Sequence, residues 1–469
     1  MGMLRRHYWV FLGLVLVSYL PNLFHAYVGE EANYTIMSME MWQRQMFLSV
    51  VSFGGVGGRP PLYNWLMIPL AQLLGWPHVL LAARLVTLGA TLGTAGVLGL
   101  WARFLWPGTS AGRVAPLLYL VSADVLLYRG WLAYADPLFA FLMVTAVFLL
   151  WWSAQHERRS VLLLSLLVIF ASYLTKVVTA YVFYGVCWLV LLSQREYRRF
   201  LLEPRNWGVY VLGLFPMGLW LAVVGRQDAI QVHWQMQDVT SKLLTVGSVP
   251  SYLFKLVEFP FTILLGLLPG VLWVGWGLWS QRQQPWPIPV RLLLFMGLLN
   301  FFPYWIAPQS AARYVLPEYG FVALLATYYL VHHGSLFVRP RFDPARWIGG
   351  FILLGLLVNG WAFPYYQKKV RGENYAAMAR KVETLAGETP IYNLDWSSVG
   401  LSVVALIESG NFSRPAIILP PPGFTDGVVI AYTPHDISGD RMMILKEQSE
   451  QIYLVCRGRG CQGFAGVAQ

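Results

Sequence analysis

The chain has 469 residues, of which 57% are apolar and only 12% charged, and it carries a formal net charge of +11. Soluble domains carry about a quarter charged residues, so a water-soluble fold is excluded: it could not cover its surface. A positive balance of this size would suit a nucleic-acid binder in a soluble protein. Here the arginines fall in short loops between apolar runs and no base-reading motif is visible, so no nucleic-acid partner is expected.

In chain order, Arg5, Arg6 and His7 precede an apolar run from Tyr8 to about Tyr27. No small-residue cleavage pattern follows it, so it reads as a signal anchor. Residues 29–61 form a loop in which Ile36, Met39, Trp42 and Met46 recur at helical spacing with Glu40, Gln43 and Arg44 between them. That pattern predicts an amphipathic helix lying along the membrane surface. Gly54, Gly55, Gly57 and Gly58 then predict a flexible link before Arg59, and the short apolar segment 62–75 a re-entrant or interfacial one. Further spans are expected at about 79–100, 114–130, 137–152, 160–176, 177–193, 208–225, 256–279, 292–307, 314–332 and 347–364. With the first run this makes about eleven, each near the ~20 residues that cross a hydrocarbon core.

Alternating sides from an inside N-terminus puts fifteen arginines inside: Arg5, Arg6, Arg103, Arg113, Arg158, Arg159, Arg195, Arg198, Arg199, Arg205, Arg282, Arg291, Arg339, Arg341 and Arg346. Nine basic residues fall outside: Arg44, Arg59, Arg84, Arg129, Lys176, Arg226, Lys242, Lys255 and Arg313. The bias supports that orientation. From about Pro364 charges become frequent. Strands are expected at Ile391–Tyr392, Ala416–Leu419, Val428–Ala431 and Ile452–Val455, and helices at Tyr375–Leu385 and Gly400–Glu408. The expected architecture is a polytopic α-helical membrane domain, residues 1–364, with a small extracytoplasmic α/β domain, residues 365–469. Cys456 and Cys461 suit a small-loop disulfide, if that end faces an oxidising compartment, better than a redox or zinc motif.

Unusual polar residues gather on the outer side. Glu30 and Glu31 follow the first span, Arg59 lies in the first outer loop, and Asp136, Lys176 and Arg313 lie at later outer junctions. Ionisable groups at membrane depth are costly and are usually paired or functional. Cations beside carboxylates suit a reaction in which a lipid phosphate leaves while an acceptor gives up a proton.

These residues carry a resemblance. Glu30-Glu31-Ala32-Asn33-Tyr34 is similar to an Asp-Glu-Ala-Arg-Tyr pattern, and Arg59-Pro60-Pro61-Leu62-Tyr63-Asn64-Trp65 to Lys-Pro-Pro-Leu-Tyr-Tyr-Trp. Ala135-Asp136-Pro137-Leu138, Leu174-Thr175-Lys176 and Arg313-Tyr314-Val315-Leu316-Pro317 match three further motifs, in the same order. The set resembles the GT-C superfamily of polytopic glycosyltransferases, in the branch of lipid A aminoarabinose transferase and bacterial protein O-mannosyltransferases, over about residues 1–330. The resemblance implies inverting transfer of a sugar from a polyprenyl-phosphate carrier to a lipid, glycan or protein acceptor at the outer face of the bacterial cytoplasmic membrane. It places Glu30 as catalytic base with Asp136 assisting. Arg59, Lys176 and Arg313 would hold the carrier phosphate, with Glu31, Tyr34, Tyr63, His233 and Tyr314 near donor or acceptor. No cofactor is expected, although Glu30, Glu31 and Asp136 could in principle share a divalent ion. Glu30 stands one methylene longer than the family's Asp, Asn33 replaces a basic residue, and Arg59 replaces Lys. A competing reading is a polyprenyl-lipid transporter or flippase, which would want broken helices around a midplane site.

Overall fold

The computed structural model describes residues 6–57, 59–227, 240–241, 245–334, 343–371, 374–447 and 449–464. The chain is a multi-pass helical membrane protein. Seven helices among the described residues are long and apolar enough to cross a bilayer: Trp76–Leu105, Ala135–His156, Arg159–Lys176, Pro204–Val224, Val249–Gly266, Ile288–Ile306 and Pro344–Lys369. At 18 to 30 residues and ~1.5 Å per residue they reach about 27–45 Å, enough for a ~30 Å hydrocarbon core. Shorter apolar helices at Tyr8–Phe24, Leu62–Leu74 and Thr179–Leu192 accompany them.

Two expected spans take another form. The run 256–279 divides into Val249–Gly266 and Gly270–Ser280. The break falls at Pro269, which has no N–H to donate and pushes the residue before it out of helical geometry. The run 114–130 is helical only over Ala111–Leu120 and ends in a wide turn, Val125–Arg129. Hydropathy reads straight through both breaks because the breaking residues are themselves apolar or small.

The helix that follows the first apolar run, α1 (Glu31–Gln43), does not lie along a surface. Every residue from Glu31 to Met41 is buried except Tyr34, which is half-buried. Its neighbours are the Leu62–Leu74 helix on one side and a C-terminal helix on the other. Gly54 and Gly55 do not form a flexible link either: Val51–Ser52 (β1) and Gly55–Val56 (β2) pair as a tight antiparallel hairpin, and Gly58 lies outside the described residues. The hairpin turn is held by Gly54 N–H, which donates to Glu40 Oε1 at 2.8 Å.

The helices α2 (Ala135–His156) and α3 (Arg159–Lys176) form an antiparallel pair closed by Glu157 in the left-handed conformation. Since α2 climbs 22 residues and α3 returns 18, the first turn of α2 and the last of α3 meet at the same level. The geometry thus brings Asp136 beside Lys176. Large aromatics fill the bundle: Trp101, Trp131 and Trp151 are fully buried, and Trp101 meets Trp151 edge to face at 5.8 Å. Each such ring contributes 150–250 Å² of buried surface.

Residues 375–464 build a mixed sheet flanked by helices. Helix α4 (Tyr375–Ala386) precedes β3 (Ile391–Asn393), and α5 (Ser398–Gly410) precedes β4 (Gly427–Ala431), β5 (Arg441–Glu447) and β6 (Glu450–Arg457). The strand order is β3-β4-β6-β5, with β3 and β4 parallel and the rest antiparallel. The segment 416–419, expected as a strand, makes a single bridge from Ile418 to Tyr392, and β5 is an additional edge strand. Ser397 caps α5 by accepting the Gly400 N–H, a contact worth ~1 kcal/mol. Cys456 and Cys461 are joined in a disulfide. The hydrophobic core of this unit is continuous with α1 and the Leu62–Leu74 helix, so the sheet and α1 are one packed body.

Candidate active site

Five of the residues that carried the resemblance converge where helices end. Glu30 is the residue before α1, Asp136 lies in the first turn of α2, and Lys176 is the last residue of α3. Arg313 sits on a short helical turn, Ala312–Val315, and Arg59 follows the β1–β2 hairpin. Their side chains meet. Arg313 approaches Glu30 Oε2 with both terminal nitrogens at 3.4 Å, and Arg59 lies 3.9 Å from the same oxygen. Lys176 donates to Asp136 in a very short contact. Glu30 is 46% exposed, whereas Asp136 is 3% exposed. One carboxylate therefore opens to the site and the other is held within the protein against a lysine.

Aromatic faces set the cations in place. Arg59 lies over Tyr34 at 4.9 Å, Lys176 over Tyr314 at 4.1 Å, and Arg313 over Tyr134 at 5.3 Å and Tyr314 at 5.7 Å. Such contacts attract a cation by ~0.5–2 kcal/mol and fix its direction. Burial works against the charge on Arg313, but Asp136 and Glu30 outweigh it and raise its pKa above the ordinary value, so it stays a cation. Burial also raises the Tyr34 phenol, so that hydroxyl keeps its proton among Arg59, Asp136, Arg313 and Glu30.

Tyr134 was not picked out in the sequence. Its hydroxyl accepts the Glu30 backbone N–H at 2.9 Å, anchoring the base of the Glu30 side chain. Gly29 adopts φ +59°, and a Cβ there would stand 2.6 Å from the Tyr134 oxygen. Glycine at this position permits both the left-handed turn and the close approach. The sequence signal was present, since Tyr134 immediately precedes the Ala135-Asp136-Pro137-Leu138 motif.

Two expected ligand-facing residues have other positions. Glu31 is fully buried and forms a bidentate pair with the fully buried Arg84, at 2.9 and 2.6 Å. Its oxygens also accept the backbone N–H groups of Ala133 and Val28, each at 2.8 Å. Arg84 in turn donates to the carbonyls of Asn22, His25 and Ala26. The pair ties the end of the first apolar helix, the start of α1 and the residues before α2 together, and removes Glu31 from any ion set with Glu30 and Asp136. Tyr63 is likewise buried, its hydroxyl 3.0 Å from both the Ala83 carbonyl and the Thr87 hydroxyl. His233 lies outside the described residues.

Behind the site, Arg129 pairs with Asp124, which also accepts the Tyr319 hydroxyl at 2.9 Å. Lys255 donates to the carbonyls of Tyr304, Trp305 and Ala307, at the C-terminal end of the Ile288–Ile306 helix, where a cation complements the helix dipole.

Comparison with known proteins defines the class first. The architecture, apolar bundle and sheet together, is the fold of the ArnT structures. Over its full length the chain is similar to ArnT from Cupriavidus metallidurans: TM-score 0.70 and 16% identity to the form bound to undecaprenyl phosphate, covering 100% of this chain and 99% of that one. To the apo form the TM-score is 0.71 at 14% identity, covering 98% of each chain. In sequence it is 24% identical over 394 residues to the undecaprenyl phosphate-alpha-4-amino-4-deoxy-L-arabinose arabinosyl transferase 2 of Proteus mirabilis. That match spans 80% of this chain and 65% of the relative's length. No protein-family model matches the chain.

Proposed function

We propose that this protein is a glycosyltransferase that moves a sugar from a polyprenyl-phosphate carrier to an acceptor at the outer face of the bacterial cytoplasmic membrane. The observation that carries the reading is the meeting of Arg59 and Arg313 at a single open carboxylate, Glu30, with Lys176, paired to Asp136, beside Arg313 on the shared Tyr314 ring. The ArnT neighbour bound to undecaprenyl phosphate supports the choice of carrier. A transporter needs a site that both sides reach in turn, near the midplane; this cluster lies at one set of helix ends.

On this reading, the carrier phosphate enters among the three cations, and the isoprenoid lies along the lipid-facing helices. Glu30 accepts the proton of the acceptor hydroxyl or amine as that group attacks the anomeric carbon. The bond from the anomeric carbon to the phosphate oxygen breaks, inverting the centre in a single displacement. Negative charge builds on the phosphate, where Lys176, Arg59 and Arg313 stabilise it. Asp136 holds Lys176 in place, and this role explains its burial better than one as a second base. The disulfide between Cys456 and Cys461 fits an oxidising, extracytoplasmic location for the C-terminal unit, with the N-terminus inside.

The test is a transfer assay with the protein in nanodiscs and a panel of polyprenyl-phosphate sugars, read as release of free polyprenyl phosphate. Release by the wild type that Glu30→Gln and Lys176→Ala both lose supports the assignment. No release from any donor, with native membrane lipids and extracts supplied as acceptors, overturns it.

A further inference from the structure

At the carboxyl ends of the two parallel strands β3 and β4 lies an open cleft of about 570 Å³, lined by Leu394, Trp396, Ser397, Tyr432 and Asp436. Two of its walls are aromatic rings left in the open: Trp396 is 53% and Tyr432 63% exposed. An isolated exposed aromatic needs no explanation, but two on one cleft, beside a carboxylate and a helix start, form a shaped surface.

The loops that carry them are fixed. After β3, Leu394 N–H donates to the Ile430 carbonyl at 2.7 Å, and Asn393 and Asp395 exchange hydrogen bonds at 3.0 and 3.2 Å. Ser397 N–H donates to Asp395 Oδ1 at 2.7 Å, so Trp396 is presented from a braced turn at the start of the 13-residue helix α5. After β4, both oxygens of Asp436 accept from Thr433, at 2.7 and 2.5 Å. Those bonds hold Asp436 below the ordinary carboxylate range, and an ionised carboxylate still has lone pairs for two further donors.

The cleft is joined to the catalytic cluster. The Trp396 ring meets Phe53 edge to face at 4.9 Å, and the Phe53 carbonyl accepts the Leu419 N–H at 3.3 Å. Phe53 stands in the turn of the β1–β2 hairpin, and Arg59 follows six residues later. Six residues reach at most roughly 20 Å, so the cleft edge and the cation that faces Glu30 lie within the length of a short oligosaccharide or glycolipid headgroup.

We infer that this cleft is a subsite for a saccharide unit of the acceptor, stacked against Trp396 and Tyr432 with its hydroxyls donating to Asp436. A sugar ring offers a face of C–H groups carrying partial positive charge and a rim of hydroxyl donors. Aromatic faces are negative and apolar, and Asp436 accepts only. Rigid rings with few torsions bind such a flat partner at low entropic cost. A peptide acceptor would call for paired backbone donors and acceptors along an open strand edge, and β4, at this cleft, has both its edges filled by β3 and β6.

The inference rests on the transferase reading, and the experiment separates the two. The full-length protein in nanodiscs is assayed with a polyprenyl-phosphate sugar and either glycolipids bearing mono- and disaccharide headgroups or a Ser/Thr-rich peptide. Trp396→Ala and Tyr432→Ala should each raise the KM for the glycolipid roughly five- to tenfold, the loss of one stacked ring. The donor KM and the kcat at saturating acceptor stay as in the wild type, and Trp396→Phe keeps most of the affinity. Both alanine sites are exposed, so an unchanged melting temperature excludes misfolding. A wild type that transfers to glycolipid while the double variant Trp396→Ala/Tyr432→Ala keeps its acceptor KM overturns the subsite and leaves the transferase standing. So does a change seen with the peptide alone. A wild type that releases no polyprenyl phosphate from any donor removes the transferase reading itself.

Discussion

Glu30 and Glu31 are adjacent, carry the same side chain, and should fail in opposite ways. Glu31 Oε1 accepts from Arg84 Nε and from Ala133 N–H, and Oε2 accepts from Arg84 Nη2 and from Val28 N–H. Each oxygen faces two donors. In Glu31→Gln, whichever way the amide turns, its NH2 group points at two donors and the Arg84 guanidinium, fully buried, loses its counter-charge. Removing one partner of a buried pair costs about 3–5 kcal/mol, and each stranded N–H adds about 1–3 kcal/mol. Since these terms overlap, the expected loss is on the order of 5 kcal/mol. Glu30 is half exposed and its arginines stand at 3.4 and 3.9 Å, so Glu30→Gln should change stability by no more than ~1 kcal/mol while abolishing sugar transfer. The assay is thermal unfolding in detergent beside polyprenyl phosphate release. Glu31→Gln melting with the wild type, or Glu30→Gln unfolding early with activity retained, would refute the division of roles.

Three further outcomes follow from the same geometry. Arg313→Ala and Lys176→Ala should raise the donor KM and lower kcat together, by ~10–1000-fold in kcat/KM at about 1.4 kcal/mol per decade, measured with a fixed acceptor; an effect on acceptor KM alone would remove them from the phosphate site. Burial pushes the Glu408 carboxyl up to about 8, against a partly compensating hydrogen bond from Ile417 N–H at 2.8 Å. Because the folded value lies above the unfolded 4.5, its contribution to stability is complete below pH 4.5 and is lost as pH rises through 8. Glu408→Gln should therefore flatten the decline in melting temperature between pH 4.5 and 8, and an unaltered decline would count against it. Replacing Cys456 and Cys461 by serine opens a six-residue loop and should cost about 2 kcal/mol on the loop-entropy account, read as a lower melting temperature that reductant reproduces in the wild type and leaves unchanged in the variant.

How legible these features were depended on the range of the contact that makes them. The motifs around Glu30, Arg59, Asp136, Lys176 and Arg313 are local strings, and apolar length revealed the long helices, seven among the described residues where about eleven spans were expected. What stayed hidden was fixed by distant partners. Arg84 looks like a loop cation until Glu31, 53 residues before it, is placed against it inside the protein. Periodicity gave α1 a wet face because its cover, α5, lies some 370 residues further on; Glu40 of that supposed face is fully buried. Strand β5 went unread because it is an edge, with Met442 and Ile444 in the open. Seen with its partners, the basic set expected outside also divides: Arg84 faces Glu31, Arg129 faces Asp124, and Lys255 caps a helix. These cations serve the fold, as does Arg44 against Glu40, whereas Arg59, Lys176 and Arg313 are the ones that gather about Glu30 and Asp136.

The charges of that cluster suit the proposed reaction at both ends. Three cations against Glu30 and Asp136 leave the site at +1. A polyprenyl-phosphate sugar is a phosphodiester with one negative charge, so the bound donor is neutralised. When the sugar leaves, the carrier becomes a monoester approaching two negative charges. Glu30 takes up the acceptor's proton in the same step, which raises the site to +2. The cluster therefore follows the charge developing on the phosphate without any cation having to move, the condition under which fixed groups favour a transition state over a ground state. Glu30→Gln fixes the site at +2 throughout. It should hold the released polyprenyl phosphate at least as tightly as the wild type while failing to transfer, and that pairing of tight product binding with lost turnover distinguishes a base from a residue that merely positions the arginines.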